Sequence, residues 1–350
     1  MLTRFIDKFI QRVAFVIMLW MVMAACSDSD DDAVGTEDVS VAFTLTVADA
    51  SSTRAENDGW DDYSPAQDGI LNENMVNTND IIIAIYDDKG NKIDNVEDLR
   101  VTAVSDPSIS GATVYAITGV WKNAKPNVDK AKRIMVIANC NATTLSDPSK
   151  LTYDLDPGMR KYIPMWGVVK IPATLTLGKQ NKLPDIQMLR AMAKVSVSLR
   201  TDMAQYGYAI GSMSVNNYNT RGYCVPKTFN EVDNTSEVRF ANSLNVLDSH
   251  ADQIALSTTA PLYLPEYDNS GTNPTTITVN LNRNGTFEGT YTLEFRNYDS
   301  DGKPTGPTYP IQRNHYYQYW IYKETGKIIV TLHVRKWNRR IYPEDDGIIM

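Results

Sequence analysis

The sequence predicts an all-β protein made of two β-sandwich domains in tandem. Two patterns point to all-β. Apolar residues alternate with polar ones along many short runs, which is the period of a half-buried strand. Turn residues separate those runs at short intervals, and no segment keeps a helical period for long. The chain length of 350 residues matches two domains of roughly 150 residues each.

The first 26 residues read as an export signal. Arg4, Lys8 and Arg12 give a positive start, and residues 13–25 form an uncharged apolar run too short for a comfortable permanent span. The run ends Met23-Ala24-Ala25-Cys26, which resembles a bacterial lipobox with methionine at a position that is more often leucine. The resemblance implies cleavage before Cys26 and lipidation of its sulfur. A plain Ala-x-Ala cleavage with a bystander cysteine is the alternative. Residues 27–38 open with Ser27-Asp28-Ser29-Asp30-Asp31-Asp32, read as a solvated acidic spacer. In that position it is similar to the acidic tract behind the lipidated cysteine of Bacteroidetes surface lipoproteins.

In the mature chain, residues 39–47 (VSVAFTLTV) put Val39, Val41, Phe43, Leu45 and Val47 on one face and small residues on the other. Residues 49–62 lack periodicity and read as a loop. Residues 81–86, a Gly90-containing turn and the residues from Asn91 predict a hairpin. Further strands are predicted at 113–121, 133–138, 165–171 and 175–177, with Pro172 breaking the last pair. A short helix is expected at 142–151. Low hydrophobicity at 178–184 marks a linker, dividing a first domain (39–183) from a second (184–350). There, strands are predicted at 192–199, 209–215, 276–281, 289–295, 316–322 and 327–334.

Composition narrows the function. A net charge of -8 does not suit a nucleic-acid surface, which needs clustered lysine and arginine. The cysteines are Cys26, Cys140 and Cys224. An odd, sparse set does not suggest a disulfide framework or a zinc site. Cys140 and Cys224 fall in different predicted domains, so buried free thiols are expected. His250, His315 and His333 show no ligand spacing, and no cofactor is expected. No nucleophile elbow, phosphate loop or dinucleotide fingerprint is present, and no enzyme is predicted. Lys194, flanked by apolar residues, is expected to extend outward to water.

Several stretches resemble the fimbrillin family of the Bacteroidetes, the subunits of type V pili. They are Ile134 with its neighbours through Asn139 (IMVIAN), Ile163-Pro164-Met165-Trp166-Gly167, Leu189-Arg190-Ala191-Met192-Ala193-Lys194-Val195, Arg313-Asn314-His315-Tyr316-Tyr317 and Val334-Arg335-Lys336-Trp337. Their order spans nearly the whole chain. The resemblance implies that the two tandem sandwiches are transthyretin-like, and it implies a maturation step. An Arg-specific surface protease would cut after Arg54, before Ala55, and release the strand carrying Val39, Val41, Phe43, Leu45 and Val47. A strand from another subunit would then fill the vacated groove. The C-terminal end, with Ile328, Val330, Leu332, Val334, Ile341 and Ile348, is the candidate donor. The implied partners are other pilus subunits, the protease and, through the lipid anchor, the outer membrane. The implied location is the cell surface. Two alternatives stay open: a non-polymerising pilus anchor, and a surface glycan-binding lipoprotein using Trp60, Tyr63 or Trp121 as stacking faces.

Overall fold

The computed structural model describes residues 36–47, 71–105, 113–141, 147, 150–155, 162–235, 238, 244–247 and 250–336. The export signal, the acidic tract, Cys26, Arg54, Ala55, Trp60, Tyr63, Trp337, Ile341, Ile348 and most of the 142–151 segment lie outside these residues.

The first body uses ten strands: β1 (Val39–Val47), β2 (Ile81–Tyr86), β3 (Lys92–Asn95), β4 (Glu97–Ser105), β5 (Thr113–Trp121), β6 (Arg133–Ala138), β7 (Thr152–Asp154), β8 (Met165–Lys170), β9 (Gln180–Lys182) and β10 (Ile186–Arg190). Nine of them join one sheet in the order β3-β2-β6-β8-β10-β1-β5-β4, with β9 beside β1. The pivot is β10. Its first half pairs parallel with β1 (Leu45 opposite Ile186), and its end pairs antiparallel with β8 (Leu189 opposite Trp166). One strand thereby serves both halves of the sheet, the usual way a sheet turns a corner around a core. Alternating β-branched and aromatic residues supply that core, including Phe43, Ile83, Ile117, Ile134, Val136 and Trp166.

At Gly167 two strands come unusually close. A Cβ there would lie 2.7 Å from Gln187 O and from Ile186 Cγ2, both on β10. Gly167→Ala is therefore expected to cost about 1–3 kcal/mol by overpacking. A melting temperature equal to that of the wild type would refute the steric account.

The second body comprises β11 (Ala193–Leu199), helix α1 (Thr201–Gln205), β12 (Tyr208–Asn219), β13 (Arg221–Tyr223), β14 (His250–Leu256), β15 (Leu262–Leu264), β16 (Thr276–Arg283), β17 (Thr286–Glu294), β18 (Asn297–Tyr298), β19 (Pro304–Thr305), β20 (His315–Glu324) and β21 (Lys327–Lys336). Two four-stranded sheets, β15-β11-β20-β21 and β14-β12-β16-β17, bury Val195, Tyr319 and Ile321 with Val215, Val279 and Leu281 in a second core. Phe295 packs edge-on against Tyr317 and Tyr319, with ring centroids 5.2 and 5.8 Å apart, an arrangement the ring quadrupoles favour. The chain is thus all-β, as the alternation predicts.

Three expectations are corrected. The 178–184 linker is no linker: β9 pairs with β1, and Leu183 is buried in the first core. With β10 also in the first sheet, the first body runs past the 183/184 boundary to Arg190. Residues 175–177 form no strand; Leu175 is buried in the core as part of an irregular connection. Cys140 and Cys224 are joined in a disulfide, their Cα atoms 6.8 Å apart. The expectation of free thiols failed because the chain after β13 returns to the first body, where Cys224, Val225 and Val232 enter its core. β13 also pairs with β7.

That disulfide closes a sequence separation of 84 residues. Closing so long a loop restricts the unfolded chain, and its loss typically costs about 2–5 kcal/mol. The double variant Cys140→Ser with Cys224→Ser should show that loss as a lower urea midpoint. An unchanged midpoint would mean that the cross-link contributes nothing to stability.

Candidate functional site

The feature that could do work is the seat of β1. The alternation predicted for residues 39–47 forms the strand over those same residues, and Val39, Val41, Phe43, Leu45 and Val47 are all buried. The opposite face is covered as well, since Ala42 and Thr44 are buried and Ser40 and Thr46 half-buried. β1 is an interior strand. On one side it forms a long antiparallel ladder with β5, from Val39 opposite Trp121 to Thr46 opposite Val114. On the other side its start pairs parallel with β9 and its end parallel with β10.

Polar contacts fix this register. Leu183 N donates to Ala42 O at 2.9 Å, and Gly178 N donates to Asp38 O at 2.8 Å. Asn123 N donates to Asp38 Oδ1 at 2.8 Å, and Asn181 Nδ2 to Ser40 O at 3.2 Å. Thr44 Oγ1 donates to Asp185 Oδ1. Burying five apolar side chains contributes roughly 7–15 kcal/mol gross, at about 1.5–3 kcal/mol each. The seat minus β1 would be a slot with two unpaired backbone edges and an apolar floor.

A buried polar joint ties the two bodies together. Residues 71–74 form a single 3-10 turn (Leu71–Asn74), whose Glu73 and Asn74 are almost fully buried. Glu73 Oε1 lies 2.9 Å from Lys194 Nζ and accepts from Tyr263 OH at 2.6 Å. Burial foremost, and then the Glu73 carboxylate, hold the Tyr263 phenol well above its ordinary pKa, so it stays a donor. Arg190 donates through Nε to Glu73 O at 3.0 Å, through Nη1 to Asn314 Oδ1 at 2.9 Å, and through Nη2 to Asn74 Oδ1. Lys194 does not extend to water; it is buried because Glu73 gives it a charge partner and Tyr316 an aromatic face 4.9 Å from the ammonium.

A second clamp stands beside it. Arg313 Nη2 pairs with Glu266 Oε2 at 2.7 Å, while Nη1 donates to Cys224 O at 3.0 Å. Asn314, with φ of 57°, donates its N–H to Met192 O at 2.8 Å. His315 is buried with Nδ1 2.8 Å from Arg313 O. The segment 313–315 thus holds the disulfide-bearing loop and the junction between the bodies.

The chain is similar to fimbrial proteins of the Bacteroidetes. The tip fimbrial protein Mfa3 from Porphyromonas gingivalis, with a C-terminal truncation, matches at 16% identity and TM-score 0.49, over 86% of this chain and 100% of that one. A fimbrial assembly protein from Parabacteroides distasonis matches at 12% identity and TM-score 0.49, over 84% and 94%. No protein-family model matches the chain, and no curated protein does.

The remaining sequence-derived residues fall in different places. Val330, Leu332 and Val334 are buried in the second body's own core, with Ile328 packed against it, as part of β21. Within the chain these four side chains complete their own sandwich. Trp121 is corrected as a stacking face: it is buried at the end of β5, its Nε1 donating to Asp94 Oδ2 at 3.2 Å. Among the described residues, the exposed large hydrophobic side chains are Tyr206 and Phe287. Sequence reasoning missed Glu73, Asn74 and Glu266. A carboxylate spaced far from its cationic partners leaves no local signal.

Proposed function

We propose that the chain is a structural subunit of a cell-surface fibre, exported as a lipoprotein through Cys26 and assembled by strand exchange. Cleavage after Arg54 releases β1, and an extended strand from another subunit takes its seat. The observation that supports this reading is the β1 seat. An apolar strand lies between β5 on one side and β9 and β10 on the other. A slot of that kind, once emptied, binds a strand through two backbone ladders and alternate side-chain positions. Before cleavage, the tethered β1 blocks premature filling through its high effective concentration. Partners are other subunits and the processing protease.

The test uses the purified chain and a fluorescent peptide with the sequence of residues 36–47. After an Arg-specific cut, the peptide should displace β1 and remain bound through gel filtration, whereas the uncut chain should take up none. Equal uptake before and after the cut, or none after it, would refute the exchangeable seat.

A further inference from the structure

The outer face of the β14-β12-β16-β17 sheet carries an uncharged array of amides and hydroxyls. In β16, Ile277, Val279 and Leu281 are buried in the second core, so Thr278, Asn280 and Asn282 face outward. Opposite them stand Ser214 and Ser212 on β12 and Thr292, Thr290 and Phe287 on β17. None of these is charged, although 22% of the chain is. The nearest charge on this face of β17, Glu294, sits at the far corner opposite Thr276 and is paired with Arg296 at 2.9 Å. Hydrogen bonds within the array fix its directions. Asn280 Nδ2 donates to Ser212 Oγ at 2.8 Å, and Thr290 Oγ1 donates to Asn280 Oδ1 at 2.7 Å. Gln253 Nε2 donates to Ser214 Oγ at 2.9 Å, and Asn216 Nδ2 to Thr278 Oγ1 at 3.0 Å. Ser212, Gln253 and Thr290 are nonetheless exposed, so polar groups already held in place face solvent, which lowers the cost of ordering them on a ligand.

Two bulges meet at one end of the array. The β12 ladder slips between Ile210 and Ser212, and the β17 ladder slips beside Asn282, leaving Gly211 and Glu288 as the extra residues. Asn282 lies over Gly211, where a Cβ would come within 2.7 Å of its Nδ2. Phe287, opposite Asn282, is 62% exposed. Bulges of this kind re-aim side chains beside binding sites. Here they set an aromatic ring in solvent at the edge of a polar surface.

We infer that this face binds an uncharged glycan chain, with one sugar ring stacked on Phe287 and the following sugars hydrogen-bonded to the side chains of β12, β16 and β17. The match is chemical. A pyranose offers an apolar C–H face to an aromatic ring, and hydroxyls that both donate and accept, as the side chains of Asn, Ser and Thr do together. Neighbouring strands lie about 4.8 Å apart, comparable with one sugar ring, so a chain crossing the strands meets a polar group at each step. An anionic polymer would need clustered lysine and arginine, which the array lacks. A second copy of the chain suits the face less well. The centre of a stable protein interface is apolar, and Phe287 is the one large apolar side chain facing outward along the paired rows of β12, β16 and β17. This inference does not depend on strand exchange at the β1 seat.

The test is native affinity electrophoresis of the full mature chain in gels containing hydroxyethylcellulose, mannan or arabinoxylan as neutral probes, and polygalacturonate as the anionic one. At least one neutral polymer should retard the protein, and polygalacturonate should not. Phe287→Ala should weaken that retardation about tenfold or more, and Thr290→Glu, which sets a charge within the array, should weaken it likewise. Both side chains are exposed, so the melting temperatures should stay at the wild-type value. No retardation by any neutral probe, equal retardation by polygalacturonate, or retardation that survives Phe287→Ala would each overturn the inference. A dimer in sedimentation velocity that Phe287→Ala dissolves would give the face to a second copy and overturn it too.

Discussion

Glu73→Ala should lower the unfolding free energy by about 3–5 kcal/mol, a large fraction of what a domain has. The carboxylate is the counter-charge of buried Lys194 and the acceptor of Tyr263 OH. Removing it takes the counter-charge from the ammonium and the acceptor from the phenol, both of them buried. The cost is that of stranding the charge, so removing the partner as well should reverse much of it. Glu73→Leu combined with Lys194→Met should recover most of the loss, since apolar residues of similar volume often replace buried ion pairs at little cost. Urea unfolding of the three proteins decides the matter. A loss below about 1 kcal/mol for Glu73→Ala would mean that the joint does not hold the two bodies together.

Arg54→Ala should abolish assembly while leaving the fold intact. In the proposed scheme β1 leaves only after the chain is cut, and an uncut β1 competes with any incoming strand at an effective concentration in the millimolar range. High-mass, SDS-resistant material should therefore fall by about a hundredfold or more, with circular dichroism and melting unchanged. Normal polymer from the variant would remove Arg54 from the mechanism.

These two residues differ in how far the sequence exposes them. Arg54 stands out through the resemblance to the fimbrillin family, joined to its place in a polar stretch after an alternating strand. Glu73 carries no local pattern, because its partners lie on β11 and β15, brought to it only by the folded chain. The same division runs through the fold. β1, β2, β5 and β6 coincide with the runs predicted for them, since each alternates strongly or is rich in β-branched residues. β9 and β10 escaped notice. β9 is a polar three-residue strand, QNK, and β10 reads IQMLR; neither alternates, and both exist because β1 gives them a partner. Low hydrophobicity at 178–184 therefore reflected a short, polar strand rather than a linker. The disulfide was missed for a related reason. Sequence order put Cys140 and Cys224 in separate domains, but the chain folds back after β13 to reach the first core. Lys194 likewise read as a surface residue until its partner was located.

The measurement that tests the central claim most directly is intact mass with N-terminal sequencing of the protein recovered from the cell surface. The strand-exchange account predicts a chain beginning at Ala55, lacking Val39–Val47, in SDS-resistant ladders. A chain beginning at a lipidated Cys26, with β1 retained and no ladder, would contradict it.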